Sequence, residues 1–353
     1  MINKKNTDHI YYDMSLTNSG PTNLIANLYD QRNQPLLDNP NEYHLSVVRF
    51  TVPTSYLPIF IWRDIGTNDP DNNYYSVTIS RSGVDYRVFL NYISQNLPAN
   101  NTNQQYLFVY SYQQFIDSIN IALNQAFLLA GGTATEPPYL LYNSSTGLIS
   151  IVAQYAYANS AGQYQIYMNN PLYLFFDNFK TTRYGVNQIA GKDNLIFVQN
   201  NGNNDFMSHP PSYPISAVFD SYIMTQEYNS LFLWNSVRSL VFITNTVPVC
   251  DEALNVKNSD SLTTGSTYRK IMTDFELNIQ SGISNNTLRS YVQYAVSGEY
   301  RLIDLQSNTP LYTFDIQIFF QTADLKLYPL YISNNQSISI KVMFRNKKFK
   351  KGL

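Results

Sequence analysis

The side chains best able to do chemistry are few and scattered. Three histidines, His9, His44 and His209, stand far apart in the chain, whereas a zinc site needs several nitrogen, sulfur or carboxylate ligands to converge. Cys250, the single cysteine, follows Val247-Pro248-Val249 where a strand should end. Without a base to lower its pKa, a thiol there reads as a half-buried, inert group. The six glutamates, Glu42, Glu136, Glu227, Glu252, Glu276 and Glu299, fall mostly in loops or on outward strand faces. Solvated charge is the ordinary outcome at such places, although two carboxyls meeting in one cleft would suit glycoside hydrolysis. Residues 64–71, with Asp64, Asp69 and Asp71, carry enough oxygen atoms for calcium, and a polar turn needs the same composition. Gly131-Gly132 closes a helical run instead of opening one, so no phosphate-binding loop is present. Neither a Gly-x-Ser-x-Gly elbow nor a His-Glu-x-x-His helix occurs. No catalytic, cofactor-binding or metal-binding residue is assigned, and a non-enzyme is expected.

Two other features can make contacts. Arg345, Lys347, Lys348, Lys350 and Lys351 crowd the last nine residues. They read either as a solvated tail that keeps a sheet edge soluble or as a short electrostatic contact to nucleic acid or an acidic neighbour. Five charges bind weakly unless many copies act together. Tyrosine-rich stretches such as residues 155–157 suit stacking on sugars, and suit protein interfaces better, because a rigid ring gives contact area at low entropic cost.

The elements that must position these groups are mostly strands. With 353 residues and 44% apolar composition the chain can bury a large core. Only 14% of residues are charged, against about 25% in ordinary globular domains. Polarity comes instead from 41 asparagines and 30 tyrosines, a mixture that favours strands joined by irregular polar loops. The net charge of −2 offers no general field for wrapping nucleic acid. No stretch approaches the roughly 20 apolar residues of a membrane span, and the polar start lacks the apolar core of a signal peptide. One cysteine permits no internal disulfide, and intracellular synthesis is expected.

Residues 1–42, broken by Gly20-Pro21, Gln34-Pro35 and Asn39-Pro40, read as an extended arm. Residues 45–52 and 75–80 are strands. Tyr112, Phe115, Ile116, Ile119, Leu123, Ala126 and Phe127 recur at helical spacing, and residues 139–152 form a hairpin about Asn143–Gly147. Leu172 to Phe179 is a candidate short helix. In residues 268–279, Ile271, Thr273, Phe275, Leu277 and Ile279 share one face by alternation, with Lys270, Asp274, Glu276 and Asn278 on the other. In the last strand Ile338, Ile340, Val342 and Phe344 point one way, with Ser337, Ser339 and Lys341 opposite. Strands outnumber helices and no βαβ alternation appears, so the fold class is mainly β, an antiparallel sandwich or jelly roll. Residues 95–220 hold the helix and most irregular loops. They read as a mixed α/β insertion between early and late strands of one sandwich, or as a separate second domain.

Residues 314–320 (FDIQIFF), 327–330 (LYPL) and 337–345 (SISIKVMFR) resemble the end of penton, or vertex, capsid proteins of virophages and related Maverick/Polinton-type DNA viruses. The helix with Asn120 and Ala122-Leu123, then Pro137-Pro138-Tyr139 and residues 142–148 (YNSSTGL), add to the likeness. Together these cover about a quarter of the chain. The resemblance implies a single jelly roll over residues 43–345 with the insertion at about 95–220, a basic tail at 346–353, and an arm lying against neighbouring subunits. It implies a homopentamer at the vertices of an icosahedral double-stranded DNA virus, contacting the neighbouring major capsid protein; in such a shell the basic tail, read from its charges, is the candidate contact to packaged DNA. The protein would be synthesised in the host cytoplasm and reside in the virion. A carbohydrate- or receptor-binding β-sandwich of a fibre or spike, or another jelly-roll minor capsid subunit, is the alternative.

Overall fold

The computed structural model describes residues 9–21, 24–53, 57–64, 74–92, 106–154, 164–179, 181–183, 191–196, 198, 205–207, 221–254, 267–277, 291–295, 301–323 and 325–348. It is mainly β, and every strand pair is antiparallel.

Two sheets are built from the ends of the chain. The first runs His9–Thr17, Ser337–Asn346, Tyr43–Pro53, Tyr291–Ala295, with Ile303–Asp304 also paired to Tyr43–Pro53. The second contains Ile271–Glu276, Val237–Ile243 and Thr313–Thr322, whose far side carries Asn27–Gln31 and Leu327–Pro329. The segment expected as an arm therefore supplies strands to both sheets. Alternation fills the space between them: Phe314, Ile316, Ile318 and Phe320 face Ile338, Ile340, Val342 and Phe344, all buried in one core. Phe50 joins the layers, its ring 5.1 Å from Phe242 and 4.7 Å from Phe275.

Bulges change which residues face inward. In Tyr43–Pro53 the register slips between Lys341 and Val342 of the partner strand, leaving Val48 without a partner. Leu45 and Val47 consequently share the core with Phe50 and Val52. A second bulge between Phe242 and Ile243 breaks the alternation expected across residues 271–277. Met272 and Phe275 pack in the core between the sheets, while Ile271 joins Val241 and Ile243 in a separate outer cluster. An extra residue on one strand reverses every side chain beyond it, which simple period-two counting cannot register.

Between the third and fourth of these strands in chain order, most of the described residues build a second core, while Leu57 and Phe108 pack into the first. Ser76–Arg81, Val84–Phe89, Gln165–Met168, Asn194–Ile196 and Thr181–Arg183 make one sheet. Tyr139–Asn143, Leu148–Gln154, Ser221–Thr225 and Asp205–Met207 make another. The helix Tyr112–Leu129 buries Phe115, Ile116, Ile119, Leu123 and Phe127 against them. Its end is set by Gly131, whose φ of 78° suits a residue without Cβ. Strands Phe60–Asp64, Ser76–Arg81 and Val84–Phe89 precede the 95–220 block, and Phe60, Trp62, Val77 and Ile79 pack in this second core. The short helix expected near residue 172 is present as Asn170–Tyr173, followed by a 3-10 turn, Leu174–Phe176.

Amide side chains do here what charges do elsewhere. Buried Asn120 donates from Nδ2 to the Leu140 carbonyl (3.0 Å) and accepts the Leu140 N–H at Oδ1 (2.7 Å), fastening the helix to a strand edge. Asn169 accepts the Ser76 N–H and donates to the Tyr74 carbonyl. Gln226 accepts the Ile149 N–H. A neutral amide offers donor and acceptor together without the desolvation cost of an ion, which fits the low charged fraction.

Candidate assembly surface and the basic C-terminus

Strand register places the candidate basic residues on the outer face of the first sheet. Phe344 points into the core, so Arg345 points outward, opposite His9 on one side and His44 on the other. His44 Nδ1 lies 3.0 Å from Asp304 Oδ1. Lys347 Nζ lies 3.0 Å from the same oxygen. Its ammonium group is the chief reason the Asp304 carboxyl is held below the usual range. The Lys347 N–H donates to the Glu42 carbonyl (2.8 Å), and Lys348 Nζ reaches Glu42 Oε1 at 3.0 Å. Further along the face, Asp13 sits between Lys341 (3.2 Å) and Arg49 (3.7 Å).

The tail therefore divides. Lys347 and Lys348 are fastened to the turn Pro40–Glu42 and to Ile303–Asp304, so much of their charge is balanced within the chain. Arg345 has no carboxylate partner among the described residues. Lys350 and Lys351 lie outside the described residues, as do the aspartate-rich segment after Asp64, the tyrosines at 155–157, and His209. Among the described residues no three His, Cys, Asp or Glu side chains come together as metal ligands. Cys250 is exposed, not half-buried as its position after an apolar run suggested, because the strand ends before it at Ile243. A crevice lined by Phe89, Asn91, Ser118, Ile121, Ala122 and Gln125 has a volume of about 40 Å³, room for a few waters. No described helix is long and apolar enough to cross a membrane.

Two sites were not legible in the sequence. Asp315 on the outer side of the second sheet is buried, and its carboxylate is wrapped by the turn at residues 244–246. Thr244 Oγ1 and Thr246 Oγ1 each donate at 2.7 Å, joined by the N–H groups of Asn245 and Thr246. Burial alone would raise this carboxyl; the donors outweigh it and hold it below the ordinary value. Elsewhere, exposed Leu174, Phe232 and Leu233 stand on two short turns held together by the Phe175 carbonyl, which accepts from Ser230 Oγ and Trp234 Nε1. A Phe-Asp-Ile alternation or a lone Phe-Leu pair carries no mark of such partners.

Comparison with known proteins supplies the family. The profile of the Sputnik minor capsid protein V18/19 family matches residues 10–346. The chain belongs to that family. Structural protein V19 of Sputnik virophage is 29% identical over 217 residues, 60% of this chain and 95% of V19. Protein V18 of the same virophage is 32% identical over 140 residues, 34% of this chain and 83% of V18. A chain of the Sputnik virophage particle solved by cryo-electron microscopy matches with a TM-score of 0.75 and 28% identity, covering 97% of this chain and 98% of the other. The mavirus penton protein shares the fold with a TM-score of 0.65 at 16% identity, covering 96% and 99%. The family match extends from the first strand to the last, so both cores belong to the shared architecture. As a member of the V18/19 family the protein is a structural capsid protein.

Proposed function

We propose that this protein forms homopentameric vertices of an icosahedral double-stranded DNA virus shell, in contact with the neighbouring major capsid protein. The observation that carries the reading is membership of a minor capsid protein family across residues 10–346, together with a fold shared end to end with a penton protein. The fold in this reading is a single jelly roll with one large insertion. Its support is the strand order. Numbered along the chain, the eight strands of the two sheets pair as first–eighth–third–sixth in one (His9–Thr17, Ser337–Asn346, Tyr43–Pro53, Tyr291–Ala295) and second–seventh–fourth–fifth in the other (Asn27–Gln31, Thr313–Thr322, Val237–Ile243, Ile271–Glu276). Such crossing between two sheets is the Greek-key pairing of a jelly roll. The insertion in this reading spans residues 54–236, wider than 95–220, because Phe60, Trp62, Val77 and Ile79 pack with the helix. In this reading residues 346–353 remain the basic tail.

The tail keeps a second proposed role, contact with packaged DNA. Arg345 without a carboxylate partner supports it, while the pairing of Lys347 and Lys348 leaves Arg345, Lys350 and Lys351 as the residues to test. Native mass spectrometry of the purified chain tests the main reading: species at five times the 40.5 kDa chain mass are expected. A protein that stays monomeric, joins no particles and binds oligosaccharide tightly would instead favour a fibre- or spike-like binding module. Particles carrying a chain truncated after Lys348 should retain less DNA; unchanged retention removes the tail's second role.

A further inference from the structure

A closed ring of identical subunits needs two different, mutually complementary patches on each copy. The insertion carries such a pair. The first is the platform of Leu174, Phe232 and Leu233. Its apolar side chains are exposed, Phe232 at 56%, yet the turns beneath them are rigid. The Phe175 carbonyl accepts from Ser230 Oγ at 2.8 Å and Trp234 Nε1 at 2.7 Å, and Gln226 Nε2 donates to Ser230 Oγ at 2.8 Å. Asp177 and Glu227 flank it, exposed and without a cationic partner among the described residues. Apolar groups held in place and rimmed by charge lose little entropy on docking, which is the character of an interface hot spot.

The second patch lies at the far end of the helix Tyr112–Leu129. Leu128 and Leu129 are exposed there, Leu129 at 60%, and Val84 faces the same region across from Arg81. Arg81 Nη1 caps the helix by donating to the Ala130 (2.8 Å) and Gly131 (3.2 Å) carbonyls. The guanidinium meets no carboxylate among the described residues. The two patches are well separated. Phe115, whose ring is 5.1 Å from Phe175, marks the platform end; Leu129 lies about 20 Å further along the helix axis at 1.5 Å per residue.

We propose that the acid-rimmed platform of one copy seats on the Arg81–Leu129 patch of the next, so that the insertion takes part in ring closure. The occupant is a second copy of this chain because the patches are complementary in charge, apolar at their centres, and placed apart as a heterologous contact requires. This inference rests on the pentameric reading. The test is disulfide trapping on the full chain in a Cys250→Ser background. Leu129→Cys combined with Phe232→Cys should give, under mild oxidation, a ladder ending at the covalent pentamer. Either cysteine alone should give none, since neither patch faces its own copy. A pentamer whose double variant stays unlinked, or a single variant that links by itself, overturns the proposed contact. As a second readout, Asp177→Lys with Glu227→Lys should lower the pentamer fraction severalfold at low salt; a pentamer fraction indifferent to these charges also overturns it. A wild-type chain that is never pentameric by native mass spectrometry removes the vertex reading itself, a result distinct from a pentamer that ignores these variants.

Discussion

Replacing Asp315 tests whether a buried charge holds the sandwich together at one of its corners. The residue is 3% exposed, and its carboxylate accepts from Thr244 Oγ1, Thr246 Oγ1, the Asn245 and Thr246 N–H groups and Asn245 Nδ2. A hydrogen bond to a charged group contributes about 1.5–3 kcal/mol net, but Asn245 is exposed and water replaces part of its loss. Thr244 is 1% exposed and has no such substitute. Asp315→Ala should therefore cost about 3–4 kcal/mol, within the range for breaking a buried charged network. Asp315→Asn keeps the shape but turns an amide donor toward existing donors, and should cost about 2 kcal/mol. Urea unfolding followed by far-ultraviolet circular dichroism measures this. Tryptophan fluorescence is the wrong probe, because Trp62 and Trp234 both lie in the other core. Hydrogen exchange should localise the loss to residues 244–247 and 313–317. The pH dependence follows from the lowered carboxyl pKa. The contribution is present above the unfolded-state value of about 3.9 and is lost as pH falls through the folded-state value, so wild type and Asp315→Asn should converge in acid. Equal stability of the two at pH 7 would refute the reasoning.

Three further outcomes are expected. Asn120→Ala removes both buried bonds to Leu140 and should cost about 2–3 kcal/mol, seen as faster hydrogen exchange in the 139–143 strand. Gly147→Ala should cost more than about 1 kcal/mol in thermal unfolding, because φ is 70° and a Cβ would meet Asn229 Nδ2 at 2.1 Å. Lys347→Ala, by contrast, should change stability by less than about 1 kcal/mol and raise the Asp304 pKa toward its ordinary value in an NMR titration, since the pair is solvent-screened.

Legibility followed the range of the interactions. The helix and the 139–152 hairpin could be read because spacing, Gly131 and the Asn143–Gly147 turn are local signals. The inward face of the last strand could be read because alternation holds from Ile338 to Phe344. The face of Ile271 could not, since the bulge that reverses it arises only when Val237–Ile243 pairs with its neighbour. The basic cluster at 345–351 was visible as composition. That Lys347 and Lys348 spend their charge on Asp304 and Glu42 was not, because those carboxylates are brought near by pairing across some forty to three hundred positions.

From sequence alone came the β class, the absence of an assigned catalytic set, and a likeness to vertex proteins, all of which rest on residue types and short-range periodicity. Tertiary structure alone decided which strands share a sheet, that two cores exist, and that residues as distant as His9 and Arg345 stand side by side. The physical reason is that antiparallel pairing is specified jointly by two strands. Either one read by itself shows an inward face but not the partner that will cover its edge.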